Sequence, residues 1–426
     1  MIWSLIVSIY AVGGLFGAVS VKFFSQRLGR KRATMCNSLI SVIGAVIMLT
    51  SKEAKSFEMI IVSRMLYGYS AGLGLSLHLM YLGEISPRKI RGQVTLTSST
   101  FLSLGKLSGQ FFGLSEILGS QDLWNIVLCL PACFSVVQVL ALPFLPEAPR
   151  YLFIEKRDDK ACKRVLQNLW GKGDYKQEME EMLIEHTALE ASPPKSPLQL
   201  LKDWTVRWQL ITVFIIYSCN QMSGMSAIST FSFDIFLKAG VQKDKIRYIT
   251  VGLGITEILT SISCSLLIEH IGRRPLLWGG YTVMSFIWIM VTIMLNLKDL
   301  RWVPYVTASL IFLIIVSFCG GPGAAAATLS NELFIQSDRV AAFVLMGLQR
   351  WFMIAVLGLI FPFIIDGLSS YCFMLFAGVC LMGSLYTFFL LPETKGKTLV
   401  DISEEFKAIT VCGKSFLEEE KVETKL

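Results

Sequence analysis

Charged residues are scarce in this sequence. Asp, Glu, Lys and Arg make up 17% of its 426 residues, whereas soluble globular chains carry about 25%. Hydrophobic residues make up 53%, and apolar runs with little charge are spread over the whole chain. A helix needs about 20 mostly apolar residues to cross the hydrocarbon core of a bilayer. The pattern therefore predicts an all-α protein that spans a membrane many times, and it excludes a soluble globular domain.

Several motifs for chemistry are also missing. The sequence has no Cys-x-x-Cys pair, no GxxxxGKS/T loop for nucleotide phosphates and only three His residues. No nucleophile–base pairing or metal cluster emerges from the polar segments, so we predict no enzyme, no metal and no cofactor. The net charge of +7 is not gathered into a basic run with interleaved aromatics. We expect the lipid bilayer and no nucleic acid as a partner, and the oligomeric state is left open.

Eleven apolar segments are long enough to cross a bilayer at about 1.5 Å per residue. Gly and Pro at 320–323 interrupt one of them and predict a bend there, either static or able to flex. The predicted spans are 1–23, 33–51, 57–82, 93–117, 124–145, 209–237, 247–269, 276–296, 304–331, 339–364 and 371–391.

A polar segment separates five spans from six. Most of the 39 Lys and Arg residues fall in this segment, in the tail and in loops on the same side. Because positive charge stays on the cytosolic side, the C-terminus is predicted to be cytosolic, and we expect the plasma membrane as the location. The predicted domains are an incomplete N-terminal bundle at 1–145, a cytosolic linker with short helices at 146–208, a six-helix bundle at 209–391 and a cytosolic tail at 392–426.

Three motifs recur in the same order in the two groups of spans. The later copies are IGRR at 271–274, Glu332 before Arg339, and PETKG at 392–396. They echo RLGRK at 27–31, Glu84 before Arg91, and PEAPR at 146–150. The nearly constant separation predicts two homologous halves. Since the second half has six spans and the first has five, we expect one further helix to belong ahead of residue 1.

Charged residues of these motifs fall at predicted cytosolic helix ends. Arg and Glu there can form charge-assisted pairs that hold the two halves closed on the cytosolic side. Positive-inside anchoring is the alternative, and it explains the basic residues but not the repeated glutamates. The predicted latch consists of Arg30, Lys31, Glu84, Arg91, Glu147, Arg150, Arg273, Arg274, Glu332, Arg339 and Glu393.

One apolar span carries an unusual number of polar side chains. A membrane helix has no water for such groups, so they must face protein or an aqueous cavity. These side chains could hydrogen-bond neighbouring helices to one another or line a cavity, and both interpretations are open. At helical spacing, one face of the predicted helix holds Asn220, Ser223, Ala227, Thr230 and Asp234, with Gln221 beside it.

Ionisable residues occur deep inside other spans. Glu257 and Arg350 each lie about 15 Å from the nearer end of their spans at 1.5 Å per residue, and Lys106 is similarly deep. Such charges are costly in hydrocarbon. Our leading hypothesis is an ion pair between Glu257 and Arg350. The alternatives are an Arg350 that snorkels and a Glu257 that stays protonated.

The chain resembles the facilitative hexose transporters, solute carrier family 2 of the major facilitator superfamily, and is most similar to the member-11-like branch. The motifs that carry the resemblance span almost the whole chain: RLGRK at 27–31, GEISPRKIRG at 83–92, PEAPRYL at 146–152, NQMSG at 220–224, IGRR at 271–274, GGPG at 320–323 and PETKGKT at 392–398. The resemblance implies the two-bundle fold with its first helix absent, hence eleven membrane helices.

The resemblance also implies a function and a set of substrate contacts. It implies uniport of a hexose such as glucose or fructose by alternating access, with the sugar bound midway between the halves. Proton-coupled symport through Glu257 and a non-transporting, truncated membrane protein are the alternatives. Of the family's contact positions only Gln221 and Trp351 are unchanged. The residues that fall on those positions are Gln221, Asn220, Ser226, Glu257, Trp351, Arg350 and Ser99, and the tenth-helix tryptophan of the family falls on Ala327.

Overall fold

We describe a computed structural model of the chain. It describes residues 2–86, 91–171, 175, 179–180, 182–184, 187, 195–204, 206–297, 300–334, 336–394, 402 and 405. Within these ranges, every regular element is a helix. The chain folds into two compact units, 1–193 with 351–362, and 194–350 with 363–426. The predicted all-α architecture is confirmed.

Unit 1 is built on one long kinked helix. Helix α1 runs over Ile2–Ala54 and is interrupted at Gly29, whose backbone (φ 81°, ψ −179°) is not helical. It thus forms two of the predicted spans. The other helices are α2 at Phe57–Ile85, α3 at Arg91–Phe112, α4 at Trp124–Ala141 and α5 at Asp159–Trp170, with a 3₁₀ turn at Leu142–Phe144 and a π-helical turn at Tyr151–Glu155.

Helices α1 and α2 pack backbone against backbone. Gly13 and Gly17 of α1 lie four residues apart, as do Gly68 and Gly72 of α2. A Cβ atom at any of these positions would overlap a carbonyl oxygen of the other helix. Small residues at this spacing let membrane helices approach closely, where apolar burial offers no driving force because lipid is equally apolar.

Two spans of unit 2 are broken at glycines. The helices that follow the linker are α6 at Pro197–Lys202, α7 at Arg207–Met222, α8 at Met225–Lys238, α9 at Lys243–Ile271, α10 at Arg273–Asn296, α11 at Val303–Cys319, α12 at Pro322–Leu333, α13 at Gln336–Leu368 and α14 at Cys372–Phe389. All of them belong to unit 2 except residues 351–362 of α13, which belong to unit 1. The predicted bend at 320–323 is present: α11 ends at Cys319, and α12 restarts with Pro322 in its first turn. A proline there forfeits no helical hydrogen bond.

The predicted spans map onto the described helices with one correction. Taking α1 as two helices, and α7 with α8 and α11 with α12 as broken single spans, the described helices supply all eleven. The 209–237 span, however, is not continuous, because Gly224 breaks it in a left-handed conformation. By length and composition alone, five described runs could cross a membrane, and the first and last hold two predicted spans each: Ser4–Ala54, Trp124–Phe144, Arg273–Asn296, Val303–Ala326 and Ala341–Phe389.

The described parts of the predicted linker associate with different units. The indole of Trp170 donates to the backbone carbonyl of Ile85 (3.1 Å), which fastens α5 to α2 in unit 1. Lys195 forms ion pairs with Asp203 and with the fully buried Asp338 (3.2 Å), which fastens the start of α6 to α13 in unit 2. These carboxylates raise the pKa of Lys195. Most of the predicted tail lies outside the described residues.

Candidate functional site

A cluster of charges surrounds the kink of α1. We call Arg30, Glu84, Glu147 and Glu155 the Gly29 cluster. The Arg30 guanidinium binds Glu84 through Nε and Nη2 (3.0 and 2.9 Å) and Glu155 through Nη1 (2.6 Å). Oε1 of Glu147 accepts the backbone N–H groups of Arg30 and Lys31 at 3.0 and 2.9 Å. These are the unpaired donors of the helix that restarts after Gly29, and a carboxylate stabilises them.

The same arrangement recurs in unit 2. We call Arg273, Glu332 and Glu393 the Gly272 cluster. Arg273 binds Glu332 through Nε and Nη2 at 3.0 and 2.8 Å. Glu393 accepts the backbone N–H groups of Arg273 and Arg274 at 3.1 and 3.2 Å. Gly272 has φ 100°, as Gly29 has φ 81°. The two copies of the predicted internal repeat therefore form equivalent charge clusters, one in each unit.

The ion pair between Arg30 and Glu84 is largely buried. The side chains of Arg30 and Glu84 are only 10% and 14% exposed. Burial raises the pKa of Glu84, because desolvation of the carboxylate outweighs its attraction to Arg30. Removal of Arg30 would leave Glu84 as a buried carboxylate without its partner, which would lower the free energy of unfolding. The Gly29 cluster is therefore a structural lock whose members depend on one another.

The predicted latch residues divide into three groups. Arg30, Glu84, Glu147, Arg273, Glu332 and Glu393 meet within their own unit. Lys31 and Arg274 donate instead to the carbonyls of Pro143 (2.9 Å) and Phe388 (2.5 Å). The side chains of Arg91 and Arg339 lie outside the described residues, and Arg150 lies near enough to Glu84 to attract its carboxylate. Sequence reasoning missed Glu155, whose equivalent position in the second copy is Asp401, outside the described residues.

A break in the sixth predicted span, 209–237, forms the second candidate site. Gly224 has φ 92° and separates α7 from α8. A Cβ there would overlap the ring of Trp288 and come within 2.9 Å of Phe376. The Trp288 indole N–H donates to the freed carbonyl of Ser223 (2.8 Å), and its ring stacks on Phe373 with centroids 5.2 Å apart. The break is therefore fixed by the packing of α10 and α14.

Both polar ends of the Asn220 side chain are hydrogen-bonded within this packing. Its side chain accepts from the Tyr281 hydroxyl (2.9 Å) and donates to the Pro322 carbonyl (3.3 Å), and the residue is 7% exposed. The predicted polar face is also wrong, since Asn220, Ser223 and Ala227 are buried while Thr230 and Asp234 are exposed. The left-handed Gly224 turns the chain out of helical register, so residues before and after it do not share a face.

Gln221 and Ser226 are arranged differently. Both are half-buried, and the Ser226 hydroxyl donates to Oε1 of Gln221 at 3.2 Å across the break. The amide N–H₂ of Gln221 makes no hydrogen bond to a described residue. An amide and a hydroxyl beside each other offer both donors and acceptors to a polar solute.

The remaining predicted contacts are dispersed. Glu257 on α9 and Arg350 on α13 are both half-buried. Among the ion pairs between described residues, none joins Glu257 to Arg350, so the predicted pair is wrong. Equal depth in a membrane does not make two helices neighbours. Lys106 is exposed on α3, and the side chains of Ser99 and Ala327 lie outside the described residues.

Trp351 packs within unit 1. Its ring meets Tyr10 edge-on with centroids 6.0 Å apart and lies against Gly14. The guanidinium of Arg64 lies 5.5 Å from the centre of the Tyr10 ring and donates weakly to the Ile6 carbonyl (3.4 Å). Arg64 is a half-buried cation that contacts an aromatic ring and a carbonyl, and sequence reasoning assigned it no role.

The family model for "Sugar (and other) transporter" matches residues 1–406 of the chain. The chain belongs to this family. Its membership confirms the expectation of a transporter rather than an enzyme. It also confirms the resemblance drawn from the RLGRK, NQMSG and PETKGKT motifs.

Curated relatives of this transporter belong to solute carrier family 2. Human facilitated glucose transporter member 9 is 41% identical over 100% of this chain and 78% of its own length. Horse member 5 is 39% identical over 95% of this chain and 81% of its own length. Human member 11 is also 39% identical, over 95% and 82%. These identities support the family and do not select one branch of it.

Solved structures confirm the fold. The inward open xylose transporter XylE from E. coli superposes with a TM-score of 0.78 at 17% identity, covering 94% of this chain and 88% of that one. The proton:xylose symporter XylE bound to 6-bromo-6-deoxy-D-glucose gives a TM-score of 0.73 at 16% identity and the same coverage. The transporter thus has the major facilitator superfamily fold and is a multi-pass integral membrane protein.

Proposed function

We propose that the chain is a facilitative transporter, a uniporter, that moves a hexose such as glucose or fructose by alternating access. The observation that carries this proposal is that relatives named as facilitated glucose transporters are 39–41% identical over 95–100% of the chain. The broken helix at Gly224 supports it, because binding sites in such transporters form at discontinuous helices.

In this proposal Gln221 is the principal contact to the sugar, assisted by Ser226. A hexose presents neutral hydroxyl groups, and the amide of Gln221 can donate to them and accept from them. Glu257, Arg350, Trp351 and Ser99 remain proposed contacts. Asn220 serves instead to hold α7 against α10 and α12, since both ends of its amide are already bonded.

The proposal places the protein in the plasma membrane with its C-terminus in the cytosol. Excess Lys and Arg in the loops on the side of the Gly29 and Gly272 clusters supports this orientation. We also propose the division into an N-terminal bundle, a cytosolic linker, a C-terminal bundle and a tail, with boundaries at 145, 208 and 391. The Gly29 and Gly272 clusters are proposed to hold the cytosolic side closed.

Reconstitution tests the function directly. The purified chain in liposomes is expected to give saturable uptake of labelled glucose or fructose, and an excess of the unlabelled sugar should compete. A panel that includes a pentose and a polyol would define selectivity. Absence of saturable flux for every sugar, from a monodisperse and stably folded preparation, would favour the alternative of a non-transporting membrane protein.

The adjacent amides Gln221 and Asn220 should respond to mutation differently, one in transport and the other in stability. Gln221→Ala is expected to lower sugar uptake (kcat/KM) about tenfold, the value of one good hydrogen bond to substrate, while leaving the melting temperature unchanged. Asn220→Ala should instead lower the free energy of unfolding by about 1–3 kcal/mol, because it strands the partners of a buried amide. Unchanged uptake in a stable Gln221→Ala protein would remove Gln221 from the site.

Proton-coupled symport is the second candidate, favoured by a half-buried carboxylate at Glu257 in the middle of α9. The shared fold with a proton:xylose symporter is consistent with it. Under the uniport proposal, an inward proton gradient should not accelerate uptake at low sugar concentration. Acceleration that disappears in Glu257→Gln but persists in the exposed-carboxylate control Asp234→Asn would establish symport instead.

A further inference from the structure

A basic cavity of about 810 Å³ lies beside the kink of α1 in unit 1. Its walls come from the α1 segment around Gly29, the 3₁₀ turn after α4 and the π-helical turn before α5. The basic residues that line it are Arg27, Lys31, Arg32 and Lys156. Nothing proposed above for sugar binding or latching uses Arg27, Arg32 or Lys156.

The cavity carries net positive charge because four basic side chains line it against two carboxylates, both of which accept hydrogen bonds from backbone amides. Glu147 accepts the N–H groups of Arg30, Lys31 and Ala148 at 2.9–3.1 Å. Asp158 caps α5 by accepting the Ala161 N–H at 2.9 Å. Among the described residues, none of the four lining cations has a carboxylate at ion-pair distance. The cavity thus presents four cations against two anions that are already hydrogen-bonded.

The surroundings of the cavity are apolar and exposed. Phe144, next to the lining residue Pro143, is 89% exposed, and Phe23 is 53% exposed. The Arg27 guanidinium lies 4.4 Å from the centre of the Phe23 ring, so this cation sits at an apolar surface. Aromatic side chains flanked by basic ones are typical of the boundary between acyl chains and headgroups.

We propose that this cavity binds the phosphate-bearing headgroup of an anionic phospholipid, with Arg27, Arg32 and Lys156 as the charged contacts. The exposed aromatic rim favours a lipid over a free anion, because a soluble phosphate compound would gain nothing from Phe23 and Phe144. Basic pockets at membrane helix ends recognise such headgroups through charge-assisted hydrogen bonds. The proposal rests on the membrane-spanning fold and not on the identity of the transported solute.

The test measures lipid adducts by native mass spectrometry on the full chain in a non-ionic detergent. The probes are dioctanoyl phosphatidylinositol bisphosphate and, as the zwitterionic reference, dioctanoyl phosphatidylcholine. We expect the anionic lipid to bind preferentially to the wild type. Its affinity should fall about a hundredfold in the triple variant Arg27→Ser, Arg32→Ser, Lys156→Ser, since each basic residue near an anionic surface contributes about fivefold.

The matched control is Lys160→Ser, Lys163→Ser, Arg164→Ser. It removes the same charge from exposed positions on neighbouring α5, outside the cavity. Equal loss in both triple variants, or no preference of the wild type for the anionic lipid, would overturn the proposal. Inositol trisphosphate that competes as strongly as the lipid would show a free-anion site and overturn the lipid assignment. Both variants must match the wild type in elution profile and melting temperature, and if the cavity triple variant fails this, Arg32→Ser alone is compared with Arg164→Ser.

Discussion

Gly224→Ala is expected to destabilise unit 2 by about 3 kcal/mol or more. Two costs combine: a non-glycine residue held in the left-handed region costs about 1–3 kcal/mol, and an added methyl in a tightly packed site costs about 1–3 kcal/mol. The new Cβ would overlap the Trp288 ring, which is fully buried between α7 and α14 and cannot retreat. Thermal denaturation of the detergent-solubilised protein, followed by size-exclusion fluorescence, measures the loss.

Gly279→Ala is the control for this change. Gly279 lies in α10 of the same unit, and a Cβ added there meets nothing within 4 Å. It should be neutral or slightly stabilising, because alanine favours a helix over glycine by up to about 1 kcal/mol. Equal melting temperatures for the two variants would mean that the break at Gly224 is not held in the conformation described.

Arg30→Ala should cost about 3–5 kcal/mol of unfolding free energy, the usual penalty for breaking a buried ion pair from one side. It leaves Glu84 buried and unpaired and removes the anchor of Glu155. Arg30→Lys should rescue only part of the loss, since one ammonium cannot reproduce the planar guanidinium that reaches both carboxylates at once. The measurement is again thermal denaturation, with the exposed Arg164→Ala as control.

A double-mutant cycle separates pairing from burial at this cluster. Arg30→Ala combined with Glu84→Ala should be less destabilising than the sum of the single changes, because the second removes the carboxylate that the first leaves unpaired. Simple additivity would argue against the lock. The equivalent cycle on Arg273 and Glu332 should behave alike, with smaller coupling because Glu332 is more exposed, at 27% against 14% for Glu84.

The repeated motifs were the most reliable guide to local geometry. The recurrence of RLGRK as IGRR and of PEAPR as PETKG predicted two homologous halves with Arg–Glu pairs at cytosolic helix ends. The structure contains one charge cluster within each unit. Repeated spacing was informative because a positive-φ glycine, a helix start and a carboxylate that caps it form one geometrical unit. Glu155 was missed because it lies beyond the PEAPR motif in the sequence, and only the fold brings its carboxylate to Arg30.

Predictions from helical periodicity and depth were less successful. The polar face that joined Asn220 to Asp234 assumed an uninterrupted helix, and the NQMSG segment gave no warning that Gly224 is left-handed. The Glu257–Arg350 pair assumed that two helices of similar depth are neighbours. Both assumptions concern packing between helices that are distant in sequence.

By itself, the sequence determined the membrane-spanning helical class, the internal repeat and the transporter family. These follow from composition, from repeated short motifs and from overall similarity, all of which are linear properties of the chain. Only the tertiary structure decided which amide is buried and which is available. Asn220 and Gln221 are chemically similar neighbours, but Tyr281 and the Pro322 carbonyl reach one of them, because α10 and α12 pack against that side of α7.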